Sequence, residues 1–256
     1  MTAQEIEQLQ QAAEFIYKGL KITNKPKQDN YYKSLILKWE SNQIFKDQVS
    51  AIAKGLQLKV VHASVDYGVI ILPLNENSLF SFGGLQNIRK NLGCKGTDDA
   101  VLRRGVISLA MIAVMASFFR DEIQVIEYKE KIETQTLSGI VSLLLDICNS
   151  LKEKYDTDKA DIPEYMREGW EIILRLPTVK EGSSSNINSI SGLITRIANL
   201  FVDEGLLKED THARDDLAWF PMKRFIEQSK RETSTGIFNY CMEIHYEQKK
   251  KFEERI

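Results

Sequence analysis

The segment from Val106 to Phe119 constrains this chain more than any other, because twelve of its fourteen residues are apolar and only Ser108 and Ser117 interrupt them. A helix that is apolar all round has no face for water and must be enclosed by other elements. The run is shorter than the roughly 18 residues needed to cross a bilayer. It therefore predicts a central core helix and no membrane span. The rest of the chain can enclose it, since 43% of the 256 residues are apolar and 27% are charged, as in ordinary globular proteins. Gly and Pro together supply only 14 + 5 = 19 residues, which favours long helices over a turn-rich β fold.

Around this core the pattern alternates between helices and short hairpins. Ile6, Leu9, Ala13, Ile16 and Leu20 recur at helical spacing. Gly19 and the Asn24-Lys25-Pro26 turn should end that helix, and a second apolar stretch follows from Tyr31 to Leu37. Ser41 is placed to cap a third helix, with Gly55 at its C-terminal end. Leu56 to Ala63 and Val69 to Leu72 then read as two strands turning at Asp66-Tyr67-Gly68. Further helices are expected at Phe82–Leu92, at Asp98–Phe119 with a cap at Thr97-Asp98-Asp99, and at Leu137–Tyr155.

The order then repeats. Helices at Tyr165–Leu176 and Ile190–Val202 flank the loop Gly182–Asn186, Gly205 follows the second, and Leu206–Lys208 can pair with Leu217–Pro221. Two further helical stretches, Arg224–Ser229 and one from Ile237 onward, close the chain. The polar stretch Asp156–Asp161 is the most linker-like place, giving expected units at 1–160 and 161–256. The expected fold class is mainly α with small β-hairpins, in a tandem winged-helix arrangement.

Chemistry is sparse. There is no GxxxxGK[ST] loop, GxSxG elbow or HExxH motif, and His62, His212 and His245 are scattered, so no catalytic residue is assigned. Cys94, Cys148 and Cys241 stand too far apart for short-spaced zinc or redox motifs and read as buried free thiols in a reducing cytoplasm. The acidic, polar start, Met1 to Glu7, is unlike a signal peptide, which also points to a cytoplasmic location. Glu209, Asp210, Asp215 and Asp216 lack the spacing of an EF-hand and read as a solvated loop; no metal and no cofactor is expected. Gly83-Gly84 reads as a helix-entry turn.

Net charge is −2, which excludes a uniformly basic coat but not a local patch. Six lysines (Lys18, Lys21, Lys25, Lys27, Lys33, Lys38) meet one acid, Asp29, between residues 18 and 38. Arg89, Lys90, Lys95, Arg103 and Arg104 meet only Asp98 and Asp99. The latter five are the candidate DNA-binding residues, by charge alone. The helix that would enter a DNA groove in the second unit carries only Arg196 and is followed by an acidic loop, so that unit reads as a protein-binding module.

Tyr32–Trp39, Gly55-Leu-Gln-Leu58 with the hairpin around Asp66–Leu72, the helix Ile107–Phe119, and Gly205-Leu-Leu207 with Trp219-Phe-Pro221 together resemble the MukE-like "kite" subunits of SMC complexes. In particular they resemble the kite subunit of Wadjet plasmid-defence systems. The resemblance spans most of the chain and rests on the order of elements rather than on a sharp motif. It implies a non-enzymatic homodimer that binds a kleisin and, with an SMC-like ATPase, helps hold DNA in defence against plasmids. It fixes no individual DNA contact. The alternative is a free-standing winged-helix DNA-binding regulator.

Overall fold

A computed structural model describes residues 2–21, 25–74, 88, 90, 92, 103–119, 133–158, 162–178, 187–213, 216–232 and 237–253. Its contacts divide the chain into two units, Met1–Ile88 and Arg89–Ile256. Of the expected helix Phe82–Leu92 only residues 88, 90 and 92 are described, and Gly83-Gly84, Thr97–Asp99 and Gly182–Asn186 lie outside the described residues.

The first unit begins with α1 (Ala3–Leu20), opened by a capping box in which Thr2 accepts from the Glu5 amide and Glu5 accepts from the Thr2 amide. A 3₁₀ turn, Pro26–Gln28, leads to α2 (Asn30–Ser41), whose N-cap Asp29 accepts from the Tyr32 amide. Ser41 is the last residue of α2, and the cap of α3 (Gln43–Gly55) is Asn42, which accepts from the Phe45 amide at 2.9 Å. Asn shares the short side-chain acceptor that suits Ser to this role, so the cap moved by one residue without changing its chemistry. At the other end the left-handed residue is Gln57 (φ 57°), while Gly55 is still helical.

β1 (Leu58–Ser64) and β2 (Gly68–Pro73) then form an antiparallel hairpin, with a bulge between Val60 and His62. Gly68 (φ 91°) is needed at the turn, where a Cβ would lie 2.9 Å from Tyr32 Oη. That hydroxyl accepts from the buried Val69 amide at 2.9 Å, tying α2 to the hairpin. Gly19 does not end α1; it lets α1 approach β2, since a Cβ there would stand 2.7 Å from Ile71 Cδ1. Phe15 anchors the core, edge-on to Phe45 at 5.9 Å and stacked on Trp39 at 6.1 Å.

The second unit is built around α4 (Arg104–Phe118), ten of whose fifteen residues are buried. As the apolar run requires, neighbours enclose it: β3 (Gln135–Thr136), α5 (Leu137–Asp158), α6 (Glu164–Ile173) and α7 (Ile190–Asp203) follow, and α4 packs on α5, α6 and α7. The crossing of α4 and α6 is glycine to glycine. A Cβ on Gly105 would lie 1.8 Å from the Tyr165 carbonyl oxygen, and one on Gly169 would lie 2.6 Å from the Gly105 carbonyl carbon. This packing places the helices at 104–118 and 137–158 with the C-terminal unit, whereas the expected division at Ala160 had put them with the N-terminal one. Sequence polarity marked the short stretch 156–161, but contacts of an apolar helix decide where a unit ends.

α7 ends in a Schellman turn: Gly205 (φ 65°) donates to Val202 O and Leu206 donates to Phe201 O. β4 (Leu207–Glu209) and β5 (Ala218–Pro221) follow as expected, and β5 lies between β4 and the unforeseen β3, giving the antiparallel order β3-β5-β4. α8 (Lys223–Glu232) brings Phe225 within 6 Å of the rings of Phe118, Phe119 and Phe201. α9 (Ile237–Glu253) packs along α5. Among the described residues, no helix is long and apolar enough to cross a membrane.

Candidate functional site

In the first unit, α2 and α3 meet through the single residue Asn42, and the inward side chains of α3, Phe45, Val49 and Ala53, fix its roll. Its outward face therefore carries Gln43, Ile44, Asp47, Ser50, Ala51 and Lys54, all exposed. Gln43 is engaged with Asp47 at 2.8 Å. Lys54 and half-exposed Lys46, which sits 5.4 Å from the Trp39 ring, against Asp47 leave this face only weak attraction for phosphate.

The six lysines between residues 18 and 38 are largely committed within the unit. Lys18 donates to Asp29 at 2.6 Å, Lys38 donates to Gln11 at 2.7 Å, Lys27 pairs with Asp66 at 3.1 Å, and Lys21 sits 4.9 Å above the Tyr17 ring. The Lys18 hydrogen bond, with the Tyr32 amide, holds the Asp29 carboxyl below the usual carboxylate range. Lys25 and Lys33 are exposed.

Of the five candidate DNA-binding residues, Arg89 and Lys95 lie outside the described residues, and Lys90 is exposed. Arg103 and Arg104 both turn to α6: Arg103 pairs with Glu168 at 3.1 Å, and Arg104 stacks 4.5 Å over the Tyr165 ring. They flank the glycine crossing. Both therefore join α4 to α6 across that crossing.

α7 is the helix that holds in the second unit the place α3 holds in the first, before a hairpin. It is covered nearly all round: ten of its fourteen residues are buried, Asn199 and Asp203 are exposed, and Arg196 donates to Leu92 O at 2.7 Å. Such a helix cannot enter a DNA groove. The loop after β4 is also more structural than its charge suggested. Asp216 accepts from the Ser138 amide at 2.8 Å in the first turn of α5, where a carboxylate favourably meets unpaired N–H groups. Asp210 accepts from the His212 amide.

The histidines occupy separate places. His62 stacks on Tyr67 in the first hairpin, His212 lies in the β4–β5 loop, and His245 on α9 has Nδ1 3.3 Å from Ser150 Oγ on α5. Cys148 and Cys241 are buried and free on the same two helices, and burial pushes both thiols up, Cys241 to about 12.

The Ser150–His245 contact marks a surface the sequence did not announce: a groove of about 920 Å³ along α5, walled by α9 and the end of α4. Its α5 side is Leu143, Asp146, Asn149, Ser150 and Glu153, and its α9 side is Met242, His245 and Tyr246. The signal was present in the spacing. Ile140, Leu144, Ile147, Cys148 and Leu151 form the buried stripe of α5, and the groove residues recur at three and four on the other side. An ordinary solvated helix face has that same polar pattern, so only the position of α9 distinguishes the two. No protein-family model, no curated protein and no solved structure matches this chain.

Proposed function

We propose that this chain is a non-enzymatic kite subunit, a tandem winged-helix protein that binds a kleisin and helps an SMC-like ATPase hold DNA in defence against plasmids. The observation that supports it most is the second unit's sheet. A helix, a short strand, further helices and a hairpin occur in that order, with the last strand between the other two; we read this as a winged-helix plan. The first unit's three helices and bulged hairpin are read as the same plan.

The covered α7, the near-neutral face of α3 and the engagement of Arg103 and Arg104 with Glu168 and Tyr165 of α6 favour protein contacts over base readout. DNA then meets the assembly mainly through other subunits, with Lys90 and the exposed lysines 25 and 33 contributing phosphate contacts. Catalysis is not assigned. Ser150 Oγ, the nucleophile-type group beside a histidine, donates to the Asp146 carbonyl of its own helix at 2.8 Å, so its proton is not directed to His245.

Light scattering of the purified protein, alone and after co-expression with the proteins encoded beside it, tests this reading. A homodimer that co-elutes with a kleisin-like and an SMC-like protein is expected. A monomer that ignores them and instead binds one short duplex with specificity surviving competitor DNA would overturn it in favour of a free-standing regulator.

A further inference from the structure

We infer that the groove between α5 and α9 is the docking site for an amphipathic helix of the protein partner that carries two basic residues two turns apart. This deepens the partner-binding reading above and rests on it. The groove is long. Its α5 wall runs from Gly139 to Glu153, about 21 Å at the rise of an α-helix. Its volume of about 920 Å³ is also within the range of small-molecule sites, so it is the extension along α5 that favours a polypeptide segment.

Its chemistry is divided in a way a solvated face does not require. Half-buried Leu143, buried Met242 and Tyr246, still 38% exposed, supply apolar contact area on both walls. Tyrosine at such a place offers area at little entropic cost, as at interface anchors. The polar side is one-signed: Asp146 and Glu153 are exposed carboxylates, and no Lys or Arg stands among the described lining residues. Of the bases flanking Glu153, Lys154 is turned to Glu247 at 3.3 Å, and Lys152 is exposed and not among the lining residues.

Asp146 and Glu153 are seven residues apart on one face, so their carboxylates repeat at two turns, about 10 Å. A helix laid along α5 presents side chains at that same interval. Arg or Lys at i and i+7 would meet the two carboxylates, and apolar residues at i+3 and i+4 would reach Leu143, Met242 and Tyr246. Asn149 and Ser150 lie between the two acids and can bond polar atoms at the rim. An acidic or uncharged helix would leave both carboxylates without counter-charge as water is expelled. Nucleic acid would be repelled. The charge pattern therefore selects a basic amphipathic protein segment.

The test uses the full chain co-expressed with its neighbour-encoded partners. A photo-crosslinking residue placed at Ser142, and separately at Asn149, should join this chain to one partner segment with Lys or Arg seven apart. The double charge reversal Asp146→Lys with Glu153→Lys should weaken capture of that partner on the order of tenfold, with the loss shrinking as salt rises. The charge reversal Lys54→Glu, on the exposed face of α3 in the first unit and not among the groove's lining residues, should leave capture unchanged. Unfolding midpoints of all variants establish that the fold is kept.

If the wild type captures the partner and the double reversal captures it equally, the groove assignment fails while the partner-binding reading stands. Crosslinks that map to a second copy of this chain, or to an acidic segment, also overturn the groove assignment. If the wild type captures no partner, the reading above fails and takes this site with it.

Discussion

Gly105→Ala should destabilise the second unit, although alanine is the better helix former. A Cβ at residue 105 would stand 1.8 Å from the Tyr165 carbonyl oxygen, far inside contact distance, and neither partner is a side chain that can rotate away. The helices must separate by more than 1 Å, which loosens the Arg103–Glu168 pair and the Arg104–Tyr165 stack at the same crossing. Overpacking typically costs about 1–3 kcal/mol, and more where backbone must move. Helix propensity returns about 1 kcal/mol. With a backbone oxygen as the obstacle we expect the upper part of that range, a net loss of about 2 kcal/mol or more. For a unit of this size that lowers the melting temperature by about 4–8 °C. Fluorescence of buried Trp170, next to Gly169, reports the unfolding of α6 directly. Gly55→Ala is the matched control: nothing lies within 4 Å of a Cβ there, so it should be neutral or stabilise by up to about 1 kcal/mol. A Gly105→Ala protein as stable as the wild type would refute the claim that the two helices meet backbone to backbone.

Gln57→Gly should stabilise the first unit by about 1 kcal/mol, seen as a higher urea midpoint at unchanged slope, because residue 57 holds φ 57° at the end of α3. Asp29→Asn keeps the cap of α2 but removes the charge that Lys18 stabilises. Because the folded carboxyl titrates below its unfolded value, its contribution is present above about pH 4 and is lost as pH falls through the folded value. Wild type should therefore be more stable than Asp29→Asn near neutrality, and the two should converge in acid melts. In a Cys94→Ser background the native protein should not react with an aromatic disulfide reagent at pH 8, since Cys148 and Cys241 are buried with raised thiol values; two thiols should appear on unfolding.

Elements whose apolar residues repeat at one period were legible. The all-apolar run became the enclosed α4, and Gly205 became the Schellman glycine of α7 because only a left-handed residue closes that turn. Three features were not legible, each for a different reason. Gln135-Thr136 has no strand pattern of its own; it pairs because β5 offers an edge, with Gln135 opposite Trp219. Gly19, Gly105 and Gly169 look like breaks in a string of letters, but in the structure they are close approaches. The basic residues Arg103 and Arg104 read as a patch by count, and count is blind to a Glu168 and a Tyr165 sixty residues away.

The same blindness decides how charge should be used in assigning function here. A run of lysines attracts phosphate only with the charge left after its internal partners are subtracted. Lys18 and Lys27 are paired with Asp29 and Asp66, so the apparent excess in that segment shrinks at the surface. The acids move the other way. Asp216 is used at the start of α5, while Asp146 and Glu153 remain exposed beside Leu143 and Tyr246. On the reading proposed above, a slightly acidic chain whose exposed Asp146 and Glu153 edge an apolar trough would receive a basic protein segment.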